Sequence, residues 1–99
     1  MGHENDDTFA FGFRAIREKA PRASGVYTIY TSRHWLFVGE SADISQSLFG
    51  HLNEPSPCLA RRGPLSFSFE IVAPEQRVHR KNALVAALMP ACNPASAAR

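Results

Sequence analysis

Three groups of side chains in this chain carry chemistry: a strand tyrosine, two clusters of basic residues and a pair of cysteines. Tyr27 stands in the run Val26-Tyr27-Thr28-Ile29-Tyr30-Thr31, β-branched and aromatic residues that suit a pleated, half-buried sheet. Period-two alternation aims its ring at one face of that sheet. Arg61-Arg62 lies in a proline-rich stretch, and Arg77, His79, Arg80 and Lys81 crowd the start of the last helical segment. Local positive charge of this kind attracts phosphate. The net charge of +2 is too small for a protein that coats nucleic acid. Cys58 and Cys92 show no CxxC or Cys/His ligand spacing, so two free thiols of a cytoplasmic protein are the expectation.

The elements that position these groups follow from the pattern. A second strand run, His34-Trp35-Leu36-Phe37-Val38, is separated from the first by only Ser32 and Arg33. The two read as an antiparallel hairpin whose turn type is open, because neither connecting residue is the Gly or Asn that a two-residue turn prefers. Phe9, Phe13 and Ile16 mark one apolar face of a first helix over residues 9–19, capped by Asp7 or Thr8 and carrying Gly12 in its middle. Ile44, Leu48 and Leu52 form the stripe of a second helix over 42–52, opened by Ser41 or Asp43. Residues 53–64 hold three prolines and read as a loop. Phe67, Phe69 and Ile71 alternate with polar residues in a third strand over 66–72. A final helix from 74 or 75 to 89 is expected to bury Val78, Leu84, Val85 and Leu88.

The chain has 99 residues, 44% hydrophobic and 20% charged, which suits one soluble domain. No apolar stretch approaches the roughly 20 residues that span a bilayer, so no membrane partner is expected. The predicted organisation is a disordered lead-in over 1–7, one domain over 8–93 and a frayed tail over 94–99. The fold class is α+β, a small three-stranded antiparallel sheet flanked by helices.

Gly25-Val26-Tyr27 and Phe37-Val38-Gly39, followed by a helix, a strand and a helix closed by Pro90-Ala91-Cys92-Asn93, resemble the GIY-YIG family of nucleases over about residues 25–93. The resemblance implies a Mg²⁺-dependent phosphodiesterase built on the tyrosine of the first string, an arginine on the next helix and a metal-binding glutamate on the last. Carried over by position, Tyr27 matches the tyrosine and Gly39 the glycine that lets substrate approach. Phe37 keeps the second ring without its hydroxyl. His51 falls where many relatives have a histidine, and Asn93 matches the terminal asparagine.

The other two positions depart from the family. The arginine position is Ser47, and 39–52 contains no Arg or Lys; the glutamate position is Lys81, an ammonium that repels a metal cation. Losing one preorganised charge typically costs about 10²–10³ in rate. Hydrolysis by the family mechanism is therefore not expected, and neither is a bound cofactor.

Glu40 and Glu70 are the carboxylates left to hold Mg²⁺ if catalysis survives, since Mg²⁺ needs only one or two. Without it, Lys81 with Arg77 and Arg80 would make a cleft that binds phosphate by its own charge, with Arg61 and Arg62 able to reach in from a loop and Phe37, Ser47 and Asn93 as further candidate binding positions. The leading expectation is a nucleic-acid-binding or regulatory domain on a GIY-YIG scaffold. The alternatives are a metal-dependent endonuclease with relocated residues and a protein-interaction domain whose partner the sequence does not name.

Overall fold

The computed structural model describes residues 8–93; the expectations for 1–7 and 94–99 lie outside the described residues. Four strands, β1 (Phe9–Ala10), β2 (Gly25–Tyr30), β3 (Trp35–Ser41) and β4 (Ser66–Ile71), form one antiparallel sheet in the order β1-β4-β2-β3. Helices α1 (Phe13–Lys19), α2 (Ile44–Asn53), α3 (Pro57–Ala60) and α4 (Arg77–Leu88) complete it, with a 3₁₀ turn at Pro74–Gln76 leading into α4.

The sheet has one strand more than the sequence suggests, because Phe9 pairs with Phe67 instead of starting a helix. Its ring packs 5.4 Å from Phe67 and 6.0 Å from Phe69, and this aromatic burial outweighs a further helical turn. Gly12 is consequently the N-cap of α1 and not a mid-helix residue. Ile16 is fully buried while Phe13 is exposed.

The hairpin pairing is as expected, but Thr31 and His34 join the turn. The Thr31 N–H donates to the His34 carbonyl, and the Thr31 hydroxyl oxygen accepts from the N–H groups of Arg33 and His34. These local bonds supply what a glycine would otherwise provide.

α2 opens at Asp43, whose carboxylate accepts from the Gln46 N–H, and it buries Ile44 and Leu48. The expected proline-rich loop contains α3, capped by Ser56 with Pro57 preset at its first position. α3 inserts Leu59 into the core beside Ile16, Ile29, Leu36, Leu48 and Phe67. Two positions expected inside are outside: Ile71 ends β4 at 64% exposure and Val78 on α4 is 56% exposed. Leu84, Val85 and Leu88 are half-buried.

Beyond α4 the chain turns at Met89, a left-handed residue with φ 50°, and runs along the free edge of β3. The Ala91 and Cys92 N–H groups donate to the carbonyls of Trp35 and Leu36. The Asn93 side chain brackets Val38, its Oδ1 accepting from the Val38 N–H at 2.8 Å and its Nδ2 donating to the Val38 carbonyl at 2.9 Å. An edge that would otherwise present unpaired backbone groups is thereby covered. Cys58 and Cys92 are joined in a disulfide; the expectation of two free thiols fails because α3 and this strap, 34 residues apart, meet in space.

Candidate functional site

Sheet register sorts the site residues before any side chain is considered. Tyr27 sits between Gly39 on β3 and Phe69 on β4, and its neighbour Val26 sits between Glu40 and Glu70. Successive residues face opposite sides. Gly39, Tyr27 and Phe69 therefore make one row on the face toward α1 and α2, while Glu40, Val26 and Glu70 make a row on the other.

On the first face Tyr27 is nearly buried, at 4% exposure. Its ring lies across Gly39: a Cβ there would come within 2.6 Å of Tyr27 Cζ and Oη and 2.9 Å of Phe37 Cε2. The space that glycine opens is filled by the tyrosine and not left to a ligand. Gly25 likewise permits close packing, since a Cβ there would collide with the Glu70 carbonyl oxygen and reach 2.8 Å from Ile44 Cδ1.

The Tyr27 hydroxyl ends 2.8 Å from His51 Nε2. Phe37 closes the cluster, with its ring centroid 4.7 Å from that of His51 and 6.1 Å from that of Tyr27. Burial pushes the Tyr27 phenol up to about 12, with the nearby Ser47 hydroxyl opposing this and the Glu40 carboxylate adding to it. Burial also holds the His51 imidazole below its ordinary range. Both groups are neutral near pH 7, so their contact is a hydrogen bond between uncharged partners. Ser47 turns its hydroxyl to Ser41, 2.6 Å away, and Ser41 in turn donates to the Asp43 carbonyl. A short polar ladder thus runs beside the tyrosine.

On the opposite face the two candidate metal ligands are already engaged. Arg77 Nε donates to Glu40 Oε1 at 2.7 Å and its Nη1 to Ser24 Oγ at 3.2 Å; Arg80 Nε donates to Glu70 Oε1 at 2.9 Å. Among the described residues no group of three or more His, Cys, Asp or Glu side chains could hold a metal ion. Among the described residues Glu40 and Glu70 do not fit a Mg²⁺ site beside Tyr27, because they lie on the opposite face of the sheet and are each paired with a guanidinium group.

The structure thus brings Tyr27, Phe37, Gly39, Ser47 and His51 together, with Asn93 against the backbone of Val38 next to Phe37. It does not join Glu40, Glu70 or Arg80 to that cluster. Lys81 is half-buried one helical turn beyond Arg77, and Arg61 and Arg62 are exposed past α3. No hydrogen bond or ion pair among the described residues links these three to the Tyr27–His51 pair. Sequence reasoning missed Ser41 and the Arg77 partner of Glu40, which stand 6 and 37 residues from the groups they hold.

A structure search finds the same fold in solved proteins. The GIY-YIG N-terminal endonuclease domain of UvrC from Thermotoga maritima, bound to its catalytic magnesium, aligns with a TM-score of 0.66 at 20% identity, over 84% of this chain and 100% of that one. A tyrosine-to-phenylalanine variant of that domain, also bound to its catalytic divalent cation, aligns with the same TM-score at 21% identity and equal coverage. An asparagine-to-alanine variant aligns with a TM-score of 0.63 at 19% identity, over 81% of this chain and 96% of that one. A scan against protein-family models finds no match, and neither does a search of curated proteins. The chain therefore has a GIY-YIG-like, nuclease-like α+β fold.

Proposed function

We propose that this domain binds nucleic acid without hydrolysing it. The observation that carries the reading is the segregation of charge: an uncharged Tyr27–His51 pair on one face, and both nearby carboxylates locked to arginines on the other. Attack of water on a phosphodiester needs a base, a positive group for the developing charge and a cation at the leaving oxygen. Burial pushes the Tyr27 phenol up to about 12, so near pH 7 it stays protonated and offers no phenolate base. Ser47 supplies no positive charge. Phosphate recognition falls to Lys81, Arg61 and Arg62, with Arg80 held back by Glu70.

Fluorescence anisotropy with a labelled oligonucleotide over a salt series tests this. Binding should weaken as salt rises, and Lys81→Glu should weaken it further while reducing the salt slope by about one counterion. Because Lys81 has no described ion pair with a carboxylate, the substitution should hardly alter stability, staying within about 0.5 kcal/mol. Affinity and slope that are unchanged in the variant would remove the phosphate reading and leave a domain for protein partners.

A further inference from the structure

The Cys58–Cys92 disulfide ties the strap that covers β3 to the rest of the domain. Around it, three observations converge. Strap residues Ala91, Cys92 and Asn93 supply every described bond to the outer edge of β3, at Trp35, Leu36 and Val38. The bonds at Leu36 and Val38 flank Phe37, whose ring packs on His51. Arg62 places Nη2 3.7 Å from Cys58 Sγ, and both cysteines are half-buried and not sealed in the core.

We propose that Cys58–Cys92 is a thiol–disulfide exchange site, and that its reduction by a dithiol releases the strap from β3 beside the Tyr27–His51 cluster. An external thiolate attacks Cys92 Sγ, the S–S bond breaks, and the electron pair leaves on Cys58 Sγ. The Arg62 guanidinium stabilises that leaving thiolate, as a neighbouring cation does for reactive cysteines. The second thiolate of the reductant then attacks the mixed disulfide and expels the Cys92 thiolate. The reductant becomes a disulfide and the protein gains two electrons; both thiolates take up the protons the dithiol loses.

Once the cross-link opens, four hydrogen bonds among the described residues hold the strap at the margin of the sheet. Bonds of that kind contribute only about 1 kcal/mol net each, and ordering the strap residues costs a similar amount. Reduction should therefore fray the strap and expose the β3 edge. The inference does not depend on what the Tyr27 cluster binds, because its readouts are backbone protection and thiol chemistry.

The test is amide hydrogen exchange on the full chain, oxidised and after dithiothreitol treatment, with thiols counted by alkylation and mass spectrometry. Oxidised protein should show no reactive thiol, and reduced protein two. On reduction, the amides of Val38, Ala91 and Cys92 should exchange about tenfold faster or more, the low end of what a cross-link contributes. The amides of Tyr27 and Ile29 should keep their protection.

Asn93→Ala with the disulfide intact should speed exchange at Val38 while sparing Cys92. Arg62→Gln should slow reduction by roughly two- to fivefold without altering the oxidised exchange pattern. Unchanged protection of the strap after reduction would overturn the proposal. So would uniform loss of protection across the sheet, which makes the disulfide a global staple. Equal reduction rates for Arg62→Gln and the parent protein would overturn the assigned order of attack.

Discussion

The two faces of the central sheet meet the same problem, polar groups beside an apolar core, and solve it in opposite ways. Toward α1 and α2, buried Tyr27 and half-buried His51 meet as neutral partners. Under α4, Glu40 and Glu70 are matched by Arg77 and Arg80. A single residue step, from Tyr27 to Val26, separates the two regimes. Here alternation sets Tyr27 on one side of the sheet and both carboxylates, each with its arginine, on the other.

The largest effect that would sharpen this contrast is alkaline unfolding. Tyr27 is held protonated in the folded state up to about 12 against an ordinary 10. Its contribution to stability is present below pH 10 and lost as pH rises from 10 to 12, because the unfolded chain ionises first. At about 1.4 kcal/mol per pH unit this amounts to about 3 kcal/mol. Urea midpoints taken between pH 9 and 12 should fall steeply for the parent and much less for Tyr27→Phe.

His51 acts at the acid end with the opposite sign. Its folded-state value is lowered, so its contribution is present above pH 6.5 and is lost as pH falls through that lowered value.

Gly39→Ala comes next. The added methyl would press on the Tyr27 ring and hydroxyl from 2.6 Å, and overpacking of this kind costs about 1–3 kcal/mol. Chemical denaturation should show that loss, and the Tyr27–His51 hydrogen bond should weaken in the NMR signals of His51. Full stability would mean that the front face is less tightly packed than the row Gly39–Tyr27–Phe69 implies.

The smallest effects belong to the other face. Glu70→Gln breaks a pair whose partners are 50% and 44% exposed, and it should change stability by less than about 0.5 kcal/mol. Glu40→Gln breaks a pair at 28% and 23% exposure that also ties Arg77 to Ser24; about 1 kcal/mol is expected. Urea midpoints ranking Glu70 above Glu40 would contradict the placement of the two pairs.

Much of this contrast was legible in the sequence, for identifiable reasons. Alternation in Val26–Thr31 and the stripe Ile44–Leu48–Leu52 are local signals, and they placed β2 and α2. The spacing of Tyr27, Phe37, Ser47 and His51 was readable because all four lie within 25 consecutive residues of one hairpin and the helix after it. The Phe9–Phe67 pairing was hidden because helical spacing of Phe9, Phe13 and Ile16 mimics an amphipathic face. The arginine partners of Glu40 and Glu70 and the joining of Cys58 to Cys92 depend on how α4 and the strap return across the sheet. Nothing local encodes them. Strand alternation alone sets Glu40 and Glu70 on the side of the sheet away from Tyr27, a consequence available from Gly39-Glu40 once the register was known.

A cleavage assay on the purified full chain tests the segregation of charge most directly. Plasmid, single-stranded DNA and RNA would be incubated with Mg²⁺ or Mn²⁺ and products resolved over time, with Tyr27→Phe run alongside. No cleavage above the Tyr27→Phe background is expected, and Lys81→Glu alone should not create any, since Ser47 still supplies no cation. Robust metal-dependent cleavage by the parent chain that disappears in Tyr27→Phe would contradict it, and would mean that a base, a cation and a metal ligand do assemble around this tyrosine.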